Sequence, residues 1–247
     1  MGRKSTVSPI GGAPVYFVDR IGSTMDLARD LVADGAPSGT IAVADFQSAG
    51  RGRRAGRTWY SRPGDSLMFT LALSSVPDLA GVSLRVGLAV VRSLSRLCEL
   101  HTTIKWPNDV MAGGMKIAGV LCDLIDPWLY VGIGVNLDQD AFPDELSTSA
   151  TSVRLQHGTV PNRDDLLIDL VGELDRLLVQ RSVTDAAGIR TEIEGKLQWK
   201  DTQVVVTAPD GKATTGILRG IAEDGCLLLE SAGKVAKVVA GELSRTV

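Results

Sequence analysis

The pattern of apolar and polar positions along the chain predicts alternating helices and strands, followed by a stretch of short strands alone. Residues 23–26 have the form of a capping box. The Ser23 hydroxyl can accept a hydrogen bond from the backbone N–H of the third helical residue, and the Asp26 carboxylate can accept one in turn from the Ser23 backbone N–H. Apolar residues at helical spacing follow, and Gly35 ends the segment. A helix with a polar cap and one apolar face is therefore predicted here.

The other elements are predicted from β-branched apolar runs, which favour strands, and from apolar faces at helical spacing. The predicted strands cover residues 40–46, 66–74, 102–106, 116–125 and 128–137. Turns are predicted at Gly113-Gly114 and at Asp126-Pro127. The predicted helices cover residues 81–99, 162 to about 180, and 185–197.

The two ends of the chain differ from this middle region. Residues 1–14 are rich in glycine, serine and proline, and we expect them to be a flexible N-terminus. From residue 200 onward short strands alternate with turns, which predicts a small barrel-like β domain. The sequence thus divides into residues 1–14, a main domain over residues 15–198 and a C-terminal domain over residues 199–247.

Composition narrows the class of protein. A length of 247 residues with 44% apolar residues is enough for one large core, or for a large and a small domain. No apolar run reaches the roughly 18 to 20 residues of a membrane span, and the start lacks the apolar stretch of a signal peptide. Three isolated cysteines and two histidines indicate neither disulfides nor a metal site. We expect a soluble cytoplasmic protein with no membrane contact.

A segment rich in glycine and arginine, residues 47–59, stands out on a chain whose formal net charge is −3. Its charged and flexible residues are Gly50, Arg51, Gly52, Arg53, Arg54, Gly56 and Arg57, and Trp59 closes it. Glycine permits close approach to a ligand, and arginine supplies a planar fork of donors for carboxylate or phosphate oxygens. This segment, the arginine loop, is predicted to close over an anion. The alternatives are a solvated basic turn and an RNA-binding segment, although such RNA-binding segments come in repeats on basic chains.

Two further motifs place polar groups in or beside apolar strands. Residues 103–109 put a lysine, an amide and a carboxylate at a strand end, where Pro107 stops the strand. Lys116 lies in an otherwise apolar strand, where it must either extend to the edge or meet an anion. Gly132 and Gly134 leave room above the sheet for a flat ligand.

Taken in order, these segments resemble biotin–protein ligase. The resemblance rests on the Ser-Thr pair at residues 23–24, the arginine loop, KWPND at 105–109, KIAG at 116–119 and GIGVN at 132–136. It covers about residues 15–140, and a looser match that includes Arg219 continues through the C-terminal domain. The fold it implies is α+β: a mixed β-sheet catalytic domain of the class II synthetase-like biotin/lipoate ligase type, with helices chiefly on one face, followed by a small SH3-like β-barrel.

The resemblance implies an ATP-dependent ligase with two half-reactions. The biotin carboxylate attacks the α-phosphate of ATP, giving biotinyl-5′-AMP and pyrophosphate, with Mg²⁺ on the phosphates. A specific lysine in the biotin carboxyl carrier domain of acetyl-CoA carboxylase or a related carboxylase then attacks this anhydride. Because two anions meet in the first step, their repulsion must be offset by cations. Arg51, Arg53 and Lys116 are the expected ones, with Lys116 as an electrostatic stabiliser.

The family motif also implies which residues hold biotin. Ser23, Thr24 and Gln47 would hydrogen-bond its ureido ring, close to Gly119 and to the backbone at residues 51–53, including Gly52. The residues themselves leave plainer roles open, since Ser23 is a helix cap by its pattern and Gln47 an ordinary polar residue at a strand end.

The motif places four further residues near the nucleotide or the acceptor. Trp59 would stack on adenine, with Asn136 on its other side, and Arg219 joins the cofactor-binding residues. Asp109 would orient or deprotonate the acceptor lysine. Here too plainer roles stay open: Trp59 as a core residue, Asn136 as a turn residue and Asp109 as a turn cap.

The chain departs from the family pattern at three places. Met25, which is expected to line the biotin site, stands where the family usually carries asparagine and removes a polar contact. The arginine loop is one residue longer than the family's, because Arg54 and Ala55 both separate Arg53 from Gly56. Too little sequence precedes residue 15 for the helix-turn-helix domain of some relatives. A monofunctional form that binds no nucleic acid is therefore expected, as a monomer or weak homodimer.

Two other functions stay open. A lipoate- or octanoate-transferring enzyme shares the fold and a lysine-containing strand, although KWPND and the arginine loop favour biotin. A non-enzymatic module that binds a small molecule or nucleic acid is the second alternative, which acid-dependent exchange of pyrophosphate into ATP would exclude.

Overall fold

The computed structural model of the protein describes residues 3–5, 8–54, 56–180 and 186–245. The strands of the main domain are β1 (Arg3–Ser5), β2 (Val15–Ile21), β3 (Thr40–Gln47), β4 (Ser66–Leu73), β5 (Thr102–Lys105), β6 (Asp109–Ala112), β7 (Met115–Ile125) and β8 (Trp128–Asn136). The helices are α1 (Thr24–Ala33), α2 (Val82–Cys98), α3 (Val153–His157), α4 (Arg163–Leu174) and α5 (Ala186–Lys196). One π-helical turn, Asp175–Val179, continues α4.

A mixed sheet is the main layer, as the resemblance implies, and it has eight strands where the sequence predicts five. Its strands lie in the order β1-β2-β3-β4-β8-β7-β6-β5, and within the described residues β2–β3 is the parallel pair while the other neighbours are antiparallel. All eight residues of the central strand β4 are buried. A strand covered on both faces loses the alternation of apolar and polar residues, which accounts for its almost unbroken apolar sequence.

The stretch from β5 to β8 folds as successive hairpins and contains one strand more than predicted. The chain turns over residues 106–108 and then forms β6 before the predicted turn at Gly113-Gly114. Both glycines have positive φ, 56° and 82°, as a two-residue hairpin turn requires. The sequence shows this turn but not β6, because four residues are too few for a distinct alternation.

Helices cover the two faces of the sheet unequally. α1 packs on one face, in a small cluster that includes Met25 and Tyr130. α2 packs on the opposite face, where the large core includes Phe69 and Leu88, and α4 and α5 pack on α2. Of the predicted helix over residues 185–197, α5 is the part that the structure describes; its expected first residue, Asp185, lies outside the described residues. No helix within the described ranges is long and apolar enough to cross a membrane.

Residues 8–14 are packed against the sheet, contrary to the expectation of a flexible N-terminus. The Ser8 hydroxyl donates to the Gly39 carbonyl at 3.1 Å, and Ile10 and Ala13 are buried. The reason is that Ile10 is apolar and close to β2, so burying it in the core outweighs the local richness in glycine and proline. The other residues of this segment are either outside the described ranges or in β1.

The C-terminal region is a five-stranded antiparallel sheet made of β9 (Gln203–Thr207), β10 (Ala213–Ile221), β11 (Leu227–Ser231), β12 (Lys234–Val238) and β13 (Glu242–Arg245). The order is β12-β11-β10-β9-β13, so the described strands form an open sheet with β12 and β13 at its edges. The change to short strands after residue 200 is confirmed, whereas closure into a barrel is not seen in the described strands.

The two sheets meet tightly at a turn before β11. The Trp106 Nε1 donates to the Gly225 carbonyl at 3.1 Å. Gly81 and Gly225 touch backbone to backbone, since a Cβ built on Gly225 would lie 2.4 Å from the Gly81 Cα. Only residues without side chains allow this approach, and it fixes the C-terminal sheet against the start of α2.

Candidate active site

A cavity of about 60 Å³ lies on the face of the sheet that carries α1, under the arginine loop. Ten of the thirteen residues predicted for the site line it: Ser23, Thr24, Met25, Gln47, Arg51, Gly52, Arg53, Trp59, Lys116 and Gly119. They come from three separate segments, residues 23–25, 47–59 and 116–119, and the fold brings these together.

One end of the cavity is a connected set of hydrogen-bonding groups. The Gln47 Oε1 accepts from the Thr24 backbone N–H at 2.7 Å and from the Thr24 hydroxyl at 3.1 Å. The Thr24 hydroxyl also lies 2.9 Å from the Thr70 hydroxyl, which is fully buried in β4. Thr70 lines the cavity and was not predicted, because one threonine in the apolar strand SLMFTLAL looks like an ordinary core residue.

Ser23 caps α1 and also borders the cavity. Its hydroxyl accepts from the Met25 backbone N–H at 3.3 Å, so it caps α1, and its side chain borders the cavity. The capping fixes the start of α1, and this places the Thr24 backbone against Gln47.

Three glycines form a slot for flat groups in the cavity wall. A Cβ on Gly134 would lie 2.7 Å from the Trp59 Cε2, and one on Gly119 would lie 3.1 Å from Cζ3 of the same ring. A Cβ on Gly132 would lie 3.2 Å from the Met25 Cε. The Trp59 indole thus rests on the glycines of KIAG and GIGVN, and its Nε1 is buried without a partner among the described residues.

Lys116 meets an anion, which decides between the two possibilities left by the sequence. Its Nζ lies 2.5 Å from the Asp109 Oδ1 and 5.7 Å from the centroid of the Trp59 ring. The β6–β7 pairing is irregular between Val110 and Met111; Lys116 lies just past this irregularity, where it pairs with Met111 and also bridges to Ala150. Such an irregularity re-aims a side chain, and here it directs Lys116 into the cavity.

The arginine loop is a hairpin anchored on both sides of the cavity. The Gly52 N–H donates to the Arg57 carbonyl at 2.8 Å, and the Trp59 N–H donates to the Gly50 carbonyl at 3.0 Å. Arg51 donates through one nitrogen to both carboxylate oxygens of Asp26, at 2.8 and 2.6 Å. Asp26 was predicted only as part of a capping box, since a half-exposed acid in a helix gives no sign of a partner 25 residues away.

The other arginines of the loop contact the C-terminal sheet. Arg53 donates to the Gly241 carbonyl at 2.7 Å, and Arg54 lies 2.9 Å from the Glu242 carboxylate. Arg57 lies 3.8 Å from the same carboxylate. Each arginine of the loop thus has a protein partner, and since only two carboxylates face the four guanidiniums, the loop keeps a net positive charge.

Asp109, Asn136 and Arg219 are the three predicted site residues that lie outside the lining of this cavity. The Asn136 amide is buried, donates to the Thr151 carbonyl at 2.9 Å and accepts from Gln139 at 3.4 Å. Arg219 pairs with Glu230 at 2.5 Å and Asp201 at 3.2 Å in the C-terminal sheet, and these carboxylates raise the pKa of its guanidinium. The side chains of Asn136 and Arg219 are thus engaged by nearby protein groups.

The comparison with known proteins identifies the class that this fold and site define. Residues 17–140 match the model of the biotin/lipoate A/B protein ligase family. The chain belongs to that family.

Individual members of the family are similar to this chain over most of its length. The chain is 32% identical to the bifunctional ligase/repressor BirA of Bacillus spizizenii, over 94% of this chain and 74% of the relative. It is 30% identical to the biotin–[acetyl-CoA-carboxylase] ligase of Mycobacterium tuberculosis, over 92% of this chain and 88% of the relative. Among solved structures, the biotin protein ligase of Aquifex aeolicus in complex with biotin and ATP matches with a TM-score of 0.83 and 29% identity, over 93% of this chain and 97% of that one.

Proposed function

We propose that the protein is an ATP-dependent biotin–protein ligase, which forms biotinyl-5′-AMP and transfers biotin to a lysine of a carrier domain. The observation that carries the proposal is the cavity itself: a hydrogen-bonding end at Thr24 and Gln47, a glycine slot, and cations at its mouth. The similar protein from Aquifex aeolicus binds both biotin and ATP, which supports the same two ligands here.

Thr24, Gln47 and Thr70 would bind the ureido ring of biotin, and the glycine slot would hold its flat body. An octanoyl chain has no group that could use these donors and acceptors, and desolvating them without a partner is costly. The polar end therefore supports biotin over lipoate or octanoate.

In the first step, an oxygen of the biotin carboxylate attacks the α-phosphorus of ATP. A new P–O bond forms, the bond to the β-phosphate breaks, and pyrophosphate leaves. Two like charges about 4 Å apart near a protein surface repel by about 4 kcal/mol, so cations must act at this point. Arg51, Arg53 and Lys116 line the cavity and would supply them.

Lys116 is held beside the cavity by Asp109 before any ligand arrives. We propose that it exchanges this carboxylate for the biotin carboxylate and the bridging oxygen, where charge develops in the transition state. Asp109 would then be free to take a proton from the acceptor amine. Mg²⁺ is expected to enter on the phosphates as part of the substrate, since in such sites phosphate oxygens and water supply most of its ligands.

In the second step, the acceptor lysine attacks the carbonyl carbon of the anhydride. A C–N bond forms, the bond to the phosphate oxygen breaks, and AMP leaves while the amine loses a proton. The acceptor we propose is the biotin carboxyl carrier domain of acetyl-CoA carboxylase or a related carboxylase, as the names of the Mycobacterium tuberculosis and Paracoccus denitrificans relatives suggest.

We also propose the finer features that the resemblance implies. These are an SH3-like arrangement of the C-terminal sheet, a division of the chain at residues 14 and 198, a cytoplasmic location, and a monomer or weak homodimer. In the ligand-bound state Trp59 would leave the glycine slot to stack on adenine, with Asn136 and Arg219 in the cofactor-binding roles given above.

The test is exchange of ³²P-pyrophosphate into ATP with biotin, lipoate or octanoate as the acid. Exchange that depends on biotin, followed by labelling of a carrier domain, is the expected result. Exchange with lipoate or octanoate but not biotin would assign the protein to the other branch of the family, and no exchange with any acid would contradict an adenylating enzyme.

A further inference from the structure

The C-terminal sheet contacts the arginine loop through two adjacent residues at the start of β13, Gly241 and Glu242, called the β13 contact below. The Gly241 carbonyl accepts from Arg53, and the Glu242 carboxylate faces both Arg54 and Arg57. The Gly241 backbone is tightly packed, since a Cβ there would lie 2.6 Å from Val206 Cγ1. The carbonyl that orients Arg53 is therefore fixed by the C-terminal sheet.

The β13 contact divides the four arginines into two kinds. Arg54 and Arg57 share one carboxylate and do not line the cavity, so their charge serves to hold the loop. Arg51 and Arg53 do line the cavity. Arg54 and Arg57 therefore hold the loop without lining the cavity, whereas Arg53 both lines the cavity and takes part in the β13 contact.

The loop spans the cavity between two anchors. Arg51 is held by Asp26 on α1 at one side, and the β13 contact holds the other side. Trp59 rests in the glycine slot between them. Releasing the β13 contact would leave Asp26 and the packing of Trp59 as the loop's anchors, and the part of the loop that carries Arg53 and Arg54 would be free to move away from the C-terminal sheet.

We propose that the β13 contact keeps the arginine loop closed over the activated acyl adenylate until the acceptor arrives, with Glu242 as a positioning residue. This inference rests on the proposed function. Exposed ion pairs are individually weak, so the contact biases the loop towards closure without locking it. A bias of this size suits a loop that must open again for the acceptor lysine.

The experiment compares Glu242→Gln with Glu223→Gln, a matched control in which an exposed glutamate of the same sheet region loses its pairing with Arg190 at 3.6 Å. Two rates are measured: trypsin cleavage within the loop in the absence of ligand, and release of biotinyl-5′-AMP into solution in the absence of a carrier. Glu242→Gln is expected to raise both rates about threefold to tenfold, in keeping with the loss of two exposed ion pairs. Glu223→Gln is expected to leave both unchanged.

A charge exchange separates positioning from general stability. Arg54→Glu combined with Glu242→Arg is expected to restore slow release of the adenylate, whereas either change alone accelerates it. Arg54→Gln removes the same ion pair from the loop side and is expected to reproduce the faster release, which keeps the test valid if the Glu242 variant fails to fold.

Unchanged release of the adenylate in both Glu242→Gln and Arg54→Gln, together with unchanged cleavage in Glu242→Gln, would overturn the inference; cleavage is compared only in the Glu242 variant, because Arg54→Gln removes a trypsin site. Equal acceleration in Glu223→Gln would also overturn it, since the effect would then be general. If the wild-type protein makes no adenylate from biotin and ATP, the proposed function fails, while the cleavage rates still report on the contact.

Discussion

At the scale of residues, the site is built from side chains that already have protein partners. Lys116 pairs with Asp109, Thr24 with Gln47 and Thr70, and Arg51 with Asp26. Each partner holds a functional group in a defined position before ligand binds. Preorganisation of this kind lets charges act in the transition state without first being ordered.

Lys116→Ala is expected to slow biotin-dependent pyrophosphate exchange by about 10²- to 10³-fold, the cost typical of removing one electrostatic stabiliser of a transition state. Lys105→Ala is the matched control, because Lys105 lies 5.4 Å from the Trp199 ring centroid and does not line the cavity. Exchange at the wild-type rate in a folded Lys116→Ala protein would remove Lys116 from the mechanism.

Thr70→Val tests the residue that the sequence did not reveal. The change keeps the shape of the side chain but leaves the Thr24 hydroxyl with one partner fewer, so the KM for biotin is expected to rise about fivefold, as loss of about 1 kcal/mol implies. Thr102→Val is the control, since the Thr102 hydroxyl is buried without a partner among the described residues. A KM shift of equal size in both variants would show that the effect is not local to the cavity.

At the scale of elements, predictability depended on length and on local signals. The long strands on either side of the arginine loop and helix α2 are evident from apolar runs and faces, and the Gly113-Gly114 turn from its composition. β6 was not predicted because its four residues lie between Pro107-Asn108 and the Gly113-Gly114 turn and look like part of one loop, and α3 was not predicted because it is only five residues long. Contacts between distant segments, such as that between Arg54 and Glu242, leave no local pattern in a single sequence.

The helices on the far face are joined by a buried acid in α4. Glu173, 3% exposed in its side chain, accepts from Arg92 and Arg176 and also pairs with Arg96. Burial by itself raises the pKa of this carboxyl. The hydrogen bonds from the three guanidiniums outweigh burial, and the pKa falls from the usual 4.5 to about 2. α2 and α4 are thus connected by charge as well as by apolar packing.

This arrangement predicts a pH-dependent contribution to stability. Because the folded pKa of Glu173 lies below the unfolded one, its stabilisation is complete above about pH 4.5 and is lost as the pH falls towards 2. The contribution is about 3 kcal/mol at neutral pH. The difference in the free energy of unfolding between wild type and Glu173→Gln, measured by urea denaturation, is expected to shrink over this range. A constant difference from pH 6 to pH 2.5 would contradict the assignment.

At the scale of the whole molecule, two sheets share one site. The mixed sheet supplies the cavity, while the C-terminal sheet contacts the loop that covers it. A substitution in the C-terminal sheet can therefore affect ligand binding without touching the cavity, because β13 contacts the arginine loop that covers it.

Limited digestion tests how ligands act on this assembly. Trypsin is expected to cut the protein first within the arginine loop, where Arg57 is 69% exposed, and biotin with Mg-ATP is expected to slow that cut strongly because bound anions add to the loop's anchors. Mg-ATP without biotin is the control. Equal cleavage with and without both ligands would mean that the loop does not close over them.

The contact between Gly81 and Gly225 leaves the spacing between the two sheets little room to change. Nothing larger than a hydrogen atom separates the two backbones there, and a single methyl group at Gly225 would overlap the Gly81 Cα at 2.4 Å. Parting the sheets by about an ångström would be enough to carry the Arg57 guanidinium, now 3.8 Å from the Glu242 carboxylate, beyond ion-pair distance. The closeness of two glycine backbones and the grip of Glu242 on the arginine loop thus depend on the same spacing between the two sheets.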